Sequence, residues 1–508
     1  MSQPPSSAER LDPAFLALPL RALADTALAR ATELGVEHAA FRLERVRSRR
    51  IRLRDGQVEA AADSEDLGMS VRVVRDGTWG FAAGIDLTPE AAVRLAEQAV
   101  EVAVVSRPVN AERVELAPEP VYADVAWCSD YEVDPFDVPL SGAVERLGDW
   151  SGGLLRARGV DHVDASLGQV LENKHYADTA GTRTTQQRVR LQPRLTAVSV
   201  DRGAGGFQSL STTGPPAGRG WEYLEGTGWD WEGELARLPE LLAEKVAAPT
   251  IEAGTYDLVI DPTNLWLTIH ESVGHATELD RALGYEAAYA GSSFATPEQL
   301  GSLRYGSPVM SVTGDRCAPH GLSTVGWDDE GVAAQQWDLV RDGVLVGYQL
   351  DRRIAALAGR TRSNGCAFAG SPLQVPLQRM PNVSLEPAPD GPTTAELIAG
   401  VEHGIYVVGD KSWSIDMERY NFQFTGQQFH RIQSGRLVGQ LRDVAYQATT
   451  TDFWGSLEAV GGPQTYQLGG AFNCGKGQPG QVAPVSHGCP TGLFRGVRIL
   501  NTVDEAGQ

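Results

Sequence analysis

Residues 261–280 have the sequence DPTNLWLTIHESVGHATELD, and this stretch decides how the C-terminal half of the chain is interpreted. Asp261 suits the N-cap of a helix, because its side chain can accept from the free N–H groups of the first turn. An apolar residue then recurs at every fourth position, at Leu265, Ile269 and Val273. The pattern predicts a helix with one buried face.

His270, Glu271 and His275 of this helix spell H-E-x-x-x-H, one residue longer than the zinc motif H-E-x-x-H. In a regular α-helix, side chains five residues apart diverge by about 140°, so the two imidazoles would not share a metal ion. A π-type turn or a break at a glycine brings such side chains onto one face. We therefore predict a distorted helix near Gly274.

The three residue types fit zinc-dependent hydrolysis. Neutral imidazoles bind zinc and leave a coordination position for water, and Glu271 can act as general base beside the first ligand, His270. The alternative is a chance combination on a helix surface, since three fixed positions in six residues are only moderately specific. A third protein ligand is needed to decide between the two.

The C-terminal stretch 468–490, LGGAFNCGKGQPGQVAPVSHGCP, offers three candidates for this ligand: Cys474, His487 and Cys489. Cys474 is the first choice because the glycines around it allow the backbone to approach a metal closely. The alternative for Cys474 is a small buried thiol, and spacing alone does not separate it from the other two candidates.

Length and charge narrow the class of protein. A chain of 508 residues is expected to form two or three domains. Its 65 acidic residues outnumber 44 basic ones, and the net charge of −21 disfavours nucleic-acid binding. The five cysteines are far apart and form no disulfide pattern, and no signal peptide or membrane span is recognisable. We expect a soluble cytoplasmic protein.

The rest of the sequence predicts an α+β fold. Alternating apolar residues between positions 38 and 83, interrupted by Asp-Gly pairs, indicate hairpins, with helices on either side. The order of helix, hairpins and helix recurs between positions 140 and 246, either as a weak duplication or by chance of topology. The expected divisions are a disordered terminus at 1–12, an N-terminal α/β-layered domain at 13–247 and a mainly antiparallel β domain with the metal-site helix at 257–508.

Several segments together resemble the TldD/PmbA family of metalloproteases, also described as modulators of DNA gyrase. The segments are HESVGH at 270–275, CGK at 474–476, DDEGV at 328–332, RSNG at 362–365, RMPN at 379–382, GIY at 404–406 and the hairpins around RLRDGQVEAA at 52–61. The resemblance implies that Cys474 is the third ligand of one Zn²⁺ per catalytic chain. It also implies a dimer around a chamber in which unfolded peptides are cut, in peptide maturation or general proteolysis.

The resemblance leaves open which dimer the chain forms and whether the chain is the catalytic subunit. Members of the family work as homodimers or pair a catalytic subunit with a PmbA/TldE-like relative lacking the zinc motif, and this chain resembles the catalytic subunit. The rival functions are a non-catalytic partner subunit, a regulatory protein, and a protein in which zinc is purely structural. The intact H-E-x-x-x-H and the presence of only three strong ligand candidates favour catalysis.

Other polar residues are candidates for supporting roles. Arg379 and Asn382 can bind a peptide backbone or carboxylate, with Asp280 as a further substrate-binding candidate, although a loop arginine often pairs with an acid or caps carbonyls instead. Asp280 and Glu278 are also candidates for accepting the second N–H of metal-bound imidazoles.

Overall fold

The computed structural model describes residues 10–201, 206–477 and 479–506, and it confirms the predicted α+β fold. Residues 1–9 of the terminus expected to be disordered lie outside the described residues. The same expectation covered residues 10–12, and the structure describes these three residues. Leu11 is buried, and the carboxylate of Asp12 accepts from the N–H of Ala14 at the start of the first helix.

The N-terminal half consists of helices packed against one mixed β-sheet. Its helices are α1 (Pro13–Leu16), α2 (Leu20–Glu33), α3 (Pro89–Ser106), α4 (Leu140–Leu155) and α5 (Trp231–Ala247). Its strands are β1 (His38–Arg54), β2 (Gln57–Arg75), β3 (Thr78–Gly84), β4 (Val125–Cys128), β5 (His162–Asp178), β6 (Arg183–Asp201) and β7 (Gly206–Ser211). They form a seven-stranded sheet in the order β3-β2-β1-β5-β6-β4, with β7 also on β6.

The hairpin turns lie where the Asp-Gly pairs predicted them. Asp55 and Asp76 have φ values of 50° and 49°, and the glycine that follows each also has a positive φ. Two successive residues with positive φ are characteristic of the tight turn that suits the twist of paired strands. Helices α2 and α3 cover one part of the sheet, where Phe41 and Leu43 are fully buried.

The C-terminal half is built mainly from strands. The strands are β8 (Gly254–Ile260), β9 (Val312–Asp315), β10 (Gln336–Arg341), β11 (Val344–Leu345), β12 (Ala367–Phe368), β13 (Leu377–Gln378), β14 (Asn382–Leu385), β15 (His403–Ile415), β16 (Asn421–Gln433), β17 (Arg436–Leu441), β18 (Val444–Thr449), β19 (Leu457–Val460), β20 (Gln467–Lys476), β21 (Gln481–Cys489) and β22 (Gly492–Asn501). The helices are α6 (Pro262–Ile269), α7 (Leu279–Ala282), α8 (Arg352–Leu357), α9 (Thr394–Ala399), α10 (Thr450–Gly455) and α11 (Thr502–Ala506).

The strand pairings of the largest C-terminal sheet close on themselves. β15 pairs with β8, β8 with β22, β22 with β18, β18 with β16, and β16 again with β15. Among the described strands of this sheet, only β15 and β8 pair in parallel, so the predicted antiparallel character is confirmed. β8 leads directly into α6, which packs against β15, β20 and β21. The division of the chain at 13–247 and 257–508 stays our proposal; α5 ends at Ala247, whereas β8 begins at Gly254, three residues before the expected start of the second domain.

A buried layer of charge joins the two halves. Lys174 of β5 donates to both carboxylate oxygens of Asp329 at 2.8 Å and lies 3.3 Å from a carboxylate oxygen of Glu172. Glu44 is fully buried beside it, and burial raises the pKa of its carboxyl to about 7. Because each charge in the layer is removed from water, it is stable only with its partners in place.

We predict that Lys174→Met lowers the free energy of unfolding by about 3–5 kcal/mol, because it removes the buried cation that lies closest to Asp329 and also contacts the carboxylates of Glu44 and Glu172. Arg52→Met is the matched control. Arg52 forms an ion pair with Glu59 on the surface, so its loss should cost less than about 1 kcal/mol. Chemical denaturation of both variants measures the difference, and equal losses would contradict the prediction.

Candidate metal centre

The first eight residues of the site helix behave as the sequence predicts. The carboxylate of Asp261 accepts from the N–H of Thr263, and Leu265 and Ile269 are fully buried. Val273, the third member of the apolar stripe, is also fully buried although it lies beyond the regular helix. The stripe therefore anchors the segment that carries the histidines.

A π-helical turn follows at His270–Gly274, and it confirms the predicted distortion. The N–H of His275 donates to the carbonyl of His270, five residues back instead of four. The wider turn brings the two imidazoles together, with ring centroids 4.7 Å apart. The extra residue in H-E-x-x-x-H is therefore accommodated by one extra residue per turn.

Side chains from elsewhere in the chain satisfy the carbonyls in and around the π-turn. The hydroxyl of Tyr305 donates to the carbonyl of Ser272, and the amide of Gln349 donates to that of Gly274 at 2.6 Å. Gln349 is fully buried and also donates to the hydroxyl of Thr277. The turn is thus held by tertiary contacts, since a buried carbonyl without a donor is costly.

Gly274 is required by close packing. A Cβ at this position would lie 2.6 Å from Sδ of Met380 and 3.6 Å from the imidazole of His487. Met380 is itself buried, so there is little space into which it can move. The glycine allows the turn to lie against the strands that carry the rest of the site.

The third sequence candidate, Cys474, joins the two histidines. Donor atoms of His270, His275 and Cys474 all lie within 4.8 Å of one another, and Sγ of Cys474 is 3.7 Å from Nε2 of His275. Cys474 follows an irregularity in β20 after Ala471, where the register with β21 shifts. Arg379 donates to the carbonyl of Cys474 and so fixes the backbone at this irregularity.

Hydrogen bonds behind the imidazoles set their tautomers. Nδ1 of His487 donates to the carbonyl of Val383 at 2.8 Å, so its Nε2 can accept from Nδ1 of His270 at 2.7 Å. Nδ1 of His275 donates to the carboxylate of Glu278 at 2.8 Å. In both histidines Nδ1 is thereby engaged, so Nε2 is the nitrogen that can bind a metal once it carries no proton.

Charge favours ionisation of the thiol. Burial opposes ionisation of Cys474, but the imidazoles of His275 and His270 outweigh it and hold the pKa of this thiol well below its usual range. Burial likewise opposes protonation of His275, yet Cys474 and Glu278 raise its pKa to about 9. His275 therefore carries a proton, whose positive charge lies beside the thiolate of Cys474. A metal cation can take the place of that proton.

Glu271 lies beside the three donors in the same pocket, which has a volume of about 550 Å³. Arg419 donates to its Oε2 at 2.7 Å. Burial opposes ionisation, but His270, His275 and Arg419 together lower the pKa of Glu271 below its usual range, so it is a carboxylate at neutral pH. The pocket walls come from both halves of the chain, because residues 192–194 and 212–216 line it with those of the metal centre.

The three substrate-binding candidates are placed differently. Arg379 and Asn382 are buried and away from the pocket lining, and Asn382 donates to the carbonyl of Asp315 and the hydroxyl of Thr324. Asp280 lies 2.8 Å from Nζ of Lys476. All three side chains have polar contacts to other residues of the protein, and the expectation that they contact substrate stays a prediction.

The remaining candidates have supporting places. His487 lies behind His270, and Cys489 donates to the carbonyl of Pro262 at the start of α6. Sequence reasoning did not single out Arg419, and the signal that could have found it is its position in a short turn between two alternating segments.

The buried imidazoles of His270 and His275 and the buried thiol of Cys474 form a group that could hold a metal ion, and they share a pocket with the carboxylate of Glu271. Residues 253–501 match the PmbA/TldA metallopeptidase C-terminal domain, and residues 39–103 match PmbA/TldA metallopeptidase domain 1. The chain belongs to the TldD/PmbA metallopeptidase family.

Several relatives are similar over most of their length. A metalloprotease of Methanothermobacter thermautotrophicus is 27% identical over 92% of this chain and 96% of its own, and one of Synechocystis is 29% identical over 90% and 94%. A zinc metalloprotease TldD homolog of Saccharolobus solfataricus is 26% identical over 50% of this chain and 54% of its own.

Solved structures share the fold. A putative modulator of DNA gyrase from Thermotoga maritima has a TM-score of 0.74 at 17% identity, over 94% of this chain and 99% of its own. TldE from Thermococcus kodakarensis has a TM-score of 0.72 at 16% identity, with the same coverage. Among the described residues, no helix is long and apolar enough to span a membrane.

We predict that Glu278→Gln lowers metal affinity about 10- to 100-fold, because a neutral amide orients and polarises His275 less than a carboxylate does. Glu286→Gln is the matched control, since Glu286 shares the cation Lys476 but does not contact His275. Competition with a metal-binding dye measures both affinities. An equal loss in the two variants would assign the effect to charge balance around Lys476 instead.

Proposed function

We propose that this protein is a zinc-dependent peptidase that hydrolyses unfolded or small peptides. The observation that carries the proposal is the convergence of donor atoms from His270, His275 and Cys474 beside Glu271 in one pocket. Membership of a metallopeptidase family supports a metal ion and cleavage of peptide bonds. The name of one relative, a zinc metalloprotease, supports zinc.

The donor set fits zinc. Zn–N distances of about 2.0–2.1 Å and a Zn–S distance of about 2.3 Å place tetrahedral nitrogen and sulfur ligands about 3.5 Å apart. The distance between Sγ of Cys474 and Nε2 of His275 in the structure is 3.7 Å. Imidazole and thiolate ligands together favour zinc over magnesium or calcium. Three protein ligands leave one tetrahedral position open, as catalytic zinc sites do and structural ones do not.

The residues around the site then perform the hydrolysis. A zinc ion held there supplies Lewis acidity, which makes water nucleophilic near neutral pH and polarises a carbonyl. Oε2 of Glu271 accepts from Arg419, and Oε1 has no hydrogen bond to a residue in the described part of the chain. Oε1 is therefore the oxygen that takes the proton of the attacking water and returns it to the leaving amine.

A pocket of this size suits an extended peptide and not a folded domain. We propose that the working unit is a dimer enclosing the pocket, formed either with itself or with a TldE/PmbA-like subunit that lacks the zinc motif. The likeness to TldE is one of fold. The complete donor set and Glu271 support a catalytic role over a non-catalytic one. We propose a cytoplasmic location, which the five free cysteines support.

The metal assignment predicts that the parent protein contains about one zinc ion per chain and that His275→Ala and Cys474→Ala lose it, because each removes a direct ligand. Elemental analysis after dialysis measures the content. Cys128→Ala is the control, because this buried thiol is not in the cluster. Retention of zinc in both ligand variants would overturn the assignment.

Glu271→Gln should retain zinc and lose about 10²- to 10⁴-fold in kcat, because a neutral amide accepts no proton from water. Glu418→Gln changes an exposed carboxylate in a nearby turn and should cleave at the parental rate. Both are assayed on an unstructured peptide mixture with and without a chelator. Parental cleavage by Glu271→Gln would show that the general base is another group.

A further inference from the structure

Arg419 reaches the metal centre from a short turn. The turn comprises residues 416–420 and joins β15 to β16. The side chain of Arg419 is only 16% exposed. Nη1 donates to Oε2 of Glu271 at 2.7 Å, and the side chain lines the same pocket as His270 and His275. The guanidinium of Arg419 is therefore in direct contact with Glu271, the proposed general base.

The backbone at Arg419 is strained. Its φ is +64°, in the left-handed region that non-glycine residues other than Asn and Asp rarely adopt. The carboxylate of Asp416 accepts from the N–H groups of Glu418, Tyr420 and Asn421, and so it holds the turn. The hydroxyl of Thr450 donates to the carbonyl of Arg419 at 2.7 Å.

A glycine or an asparagine would adopt this conformation at lower cost, so the turn itself does not require an arginine. Strain that surrounding contacts maintain at a site points to a use for the side chain. Here the strained residue directs a charged group at Glu271, in a pocket that opens next to three metal-ligand candidates.

The three guanidinium nitrogens of Arg419 are in different situations. Nη1 is used by Glu271, and Nε is buried without a partner among the described residues. Nη2 has no hydrogen bond to a residue of the described ranges and is not among the enclosed atoms, and the side chain that carries it lines the pocket. A planar guanidinium can hold one oxygen with one Nη and a second oxygen with the other.

We infer that Arg419 is a catalytic residue: Nη1 holds Glu271 in place while Nη2 donates to the carbonyl oxygen of the peptide bond that is cut. The inference rests on the proposed peptidase function. Negative charge develops on that oxygen as water attacks, and a donor already in position stabilises the charge without reorganising. Holding Oε2 also leaves Oε1 of Glu271 directed at the attacking water.

A purely structural role would give different results. As a structural ion pair, the contact would contribute to the stability of the folded protein, and Arg419→Ala would unfold more easily with an unchanged kcat. As a catalytic donor, Arg419 contributes mainly after the substrate is bound. Its loss should therefore lower kcat more than it raises KM.

The test compares the parent with Arg419→Ala and Arg419→Lys, using an unstructured reporter peptide, zinc content and the midpoint of thermal unfolding. Arg419→Ala should keep its zinc and lose about 10²- to 10³-fold in kcat, the usual effect of removing one oxyanion donor. Arg419→Lys keeps a charge but has no planar fork, so it should regain only part of this loss. Millimolar guanidinium chloride should restore part of the lost kcat to Arg419→Ala and none to Glu271→Gln.

Arg436→Ala removes an exposed arginine of β17 outside the pocket and should match the parent. Parental kcat in zinc-loaded Arg419→Ala would overturn the inference and leave the proposed function standing. So would a lower unfolding midpoint with no recovery of kcat in guanidinium. An inert, zinc-free parent would overturn the proposed function and this inference with it. If Arg419→Ala fails to fold, the kcat of Arg419→Lys decides: a parental value overturns the inference.

Discussion

The site depends on one constraint of helix geometry. Two imidazoles five residues apart meet only if the helix widens, and here one π-turn at His270–Gly274 provides the width. The turn alters the direction of backbone carbonyls, which then need donors from other parts of the chain. Tyr305 and Gln349 supply them, and Gly274 leaves space for the strands on the other side. The local distortion and the packing of the C-terminal half are therefore parts of one arrangement.

The two histidines also depend on polar and charged groups that lie behind them. Each of the two histidines is held by a group behind it, His270 by His487 and His275 by Glu278. Burial and the neighbouring His270 hold the pKa of His487 well below its usual range, so His487 is neutral and can accept from His270. Glu278 lies in turn beside Lys476, two residues after Cys474. The strand that brings the thiol thus also brings the cation that balances the carboxylate.

The sequence predicted those parts of the site that are set locally. The helix, its apolar stripe and the distortion near Gly274 follow from spacing within a few turns. Cys474, about 200 residues away, was one of three candidates, because spacing carries no information on how distant strands meet. Arg379 and Asn382 were expected to contact substrate, yet their partners lie inside the protein. The direction of Arg419 depends on a strained φ and on contacts from Asp416 and Thr450, which no periodicity reveals.

The buried contact between Lys174 and Asp329 has a consequence for how this chain can change over time. The two residues are 155 positions apart, yet neither charge can be replaced alone without leaving the other in a medium where it is poorly solvated. Substitutions there should be inherited in pairs, so that the two positions covary among relatives. For the same reason, a hybrid joining the N-terminal half of one relative to the C-terminal half of another would be less stable where this pair of side chains does not match.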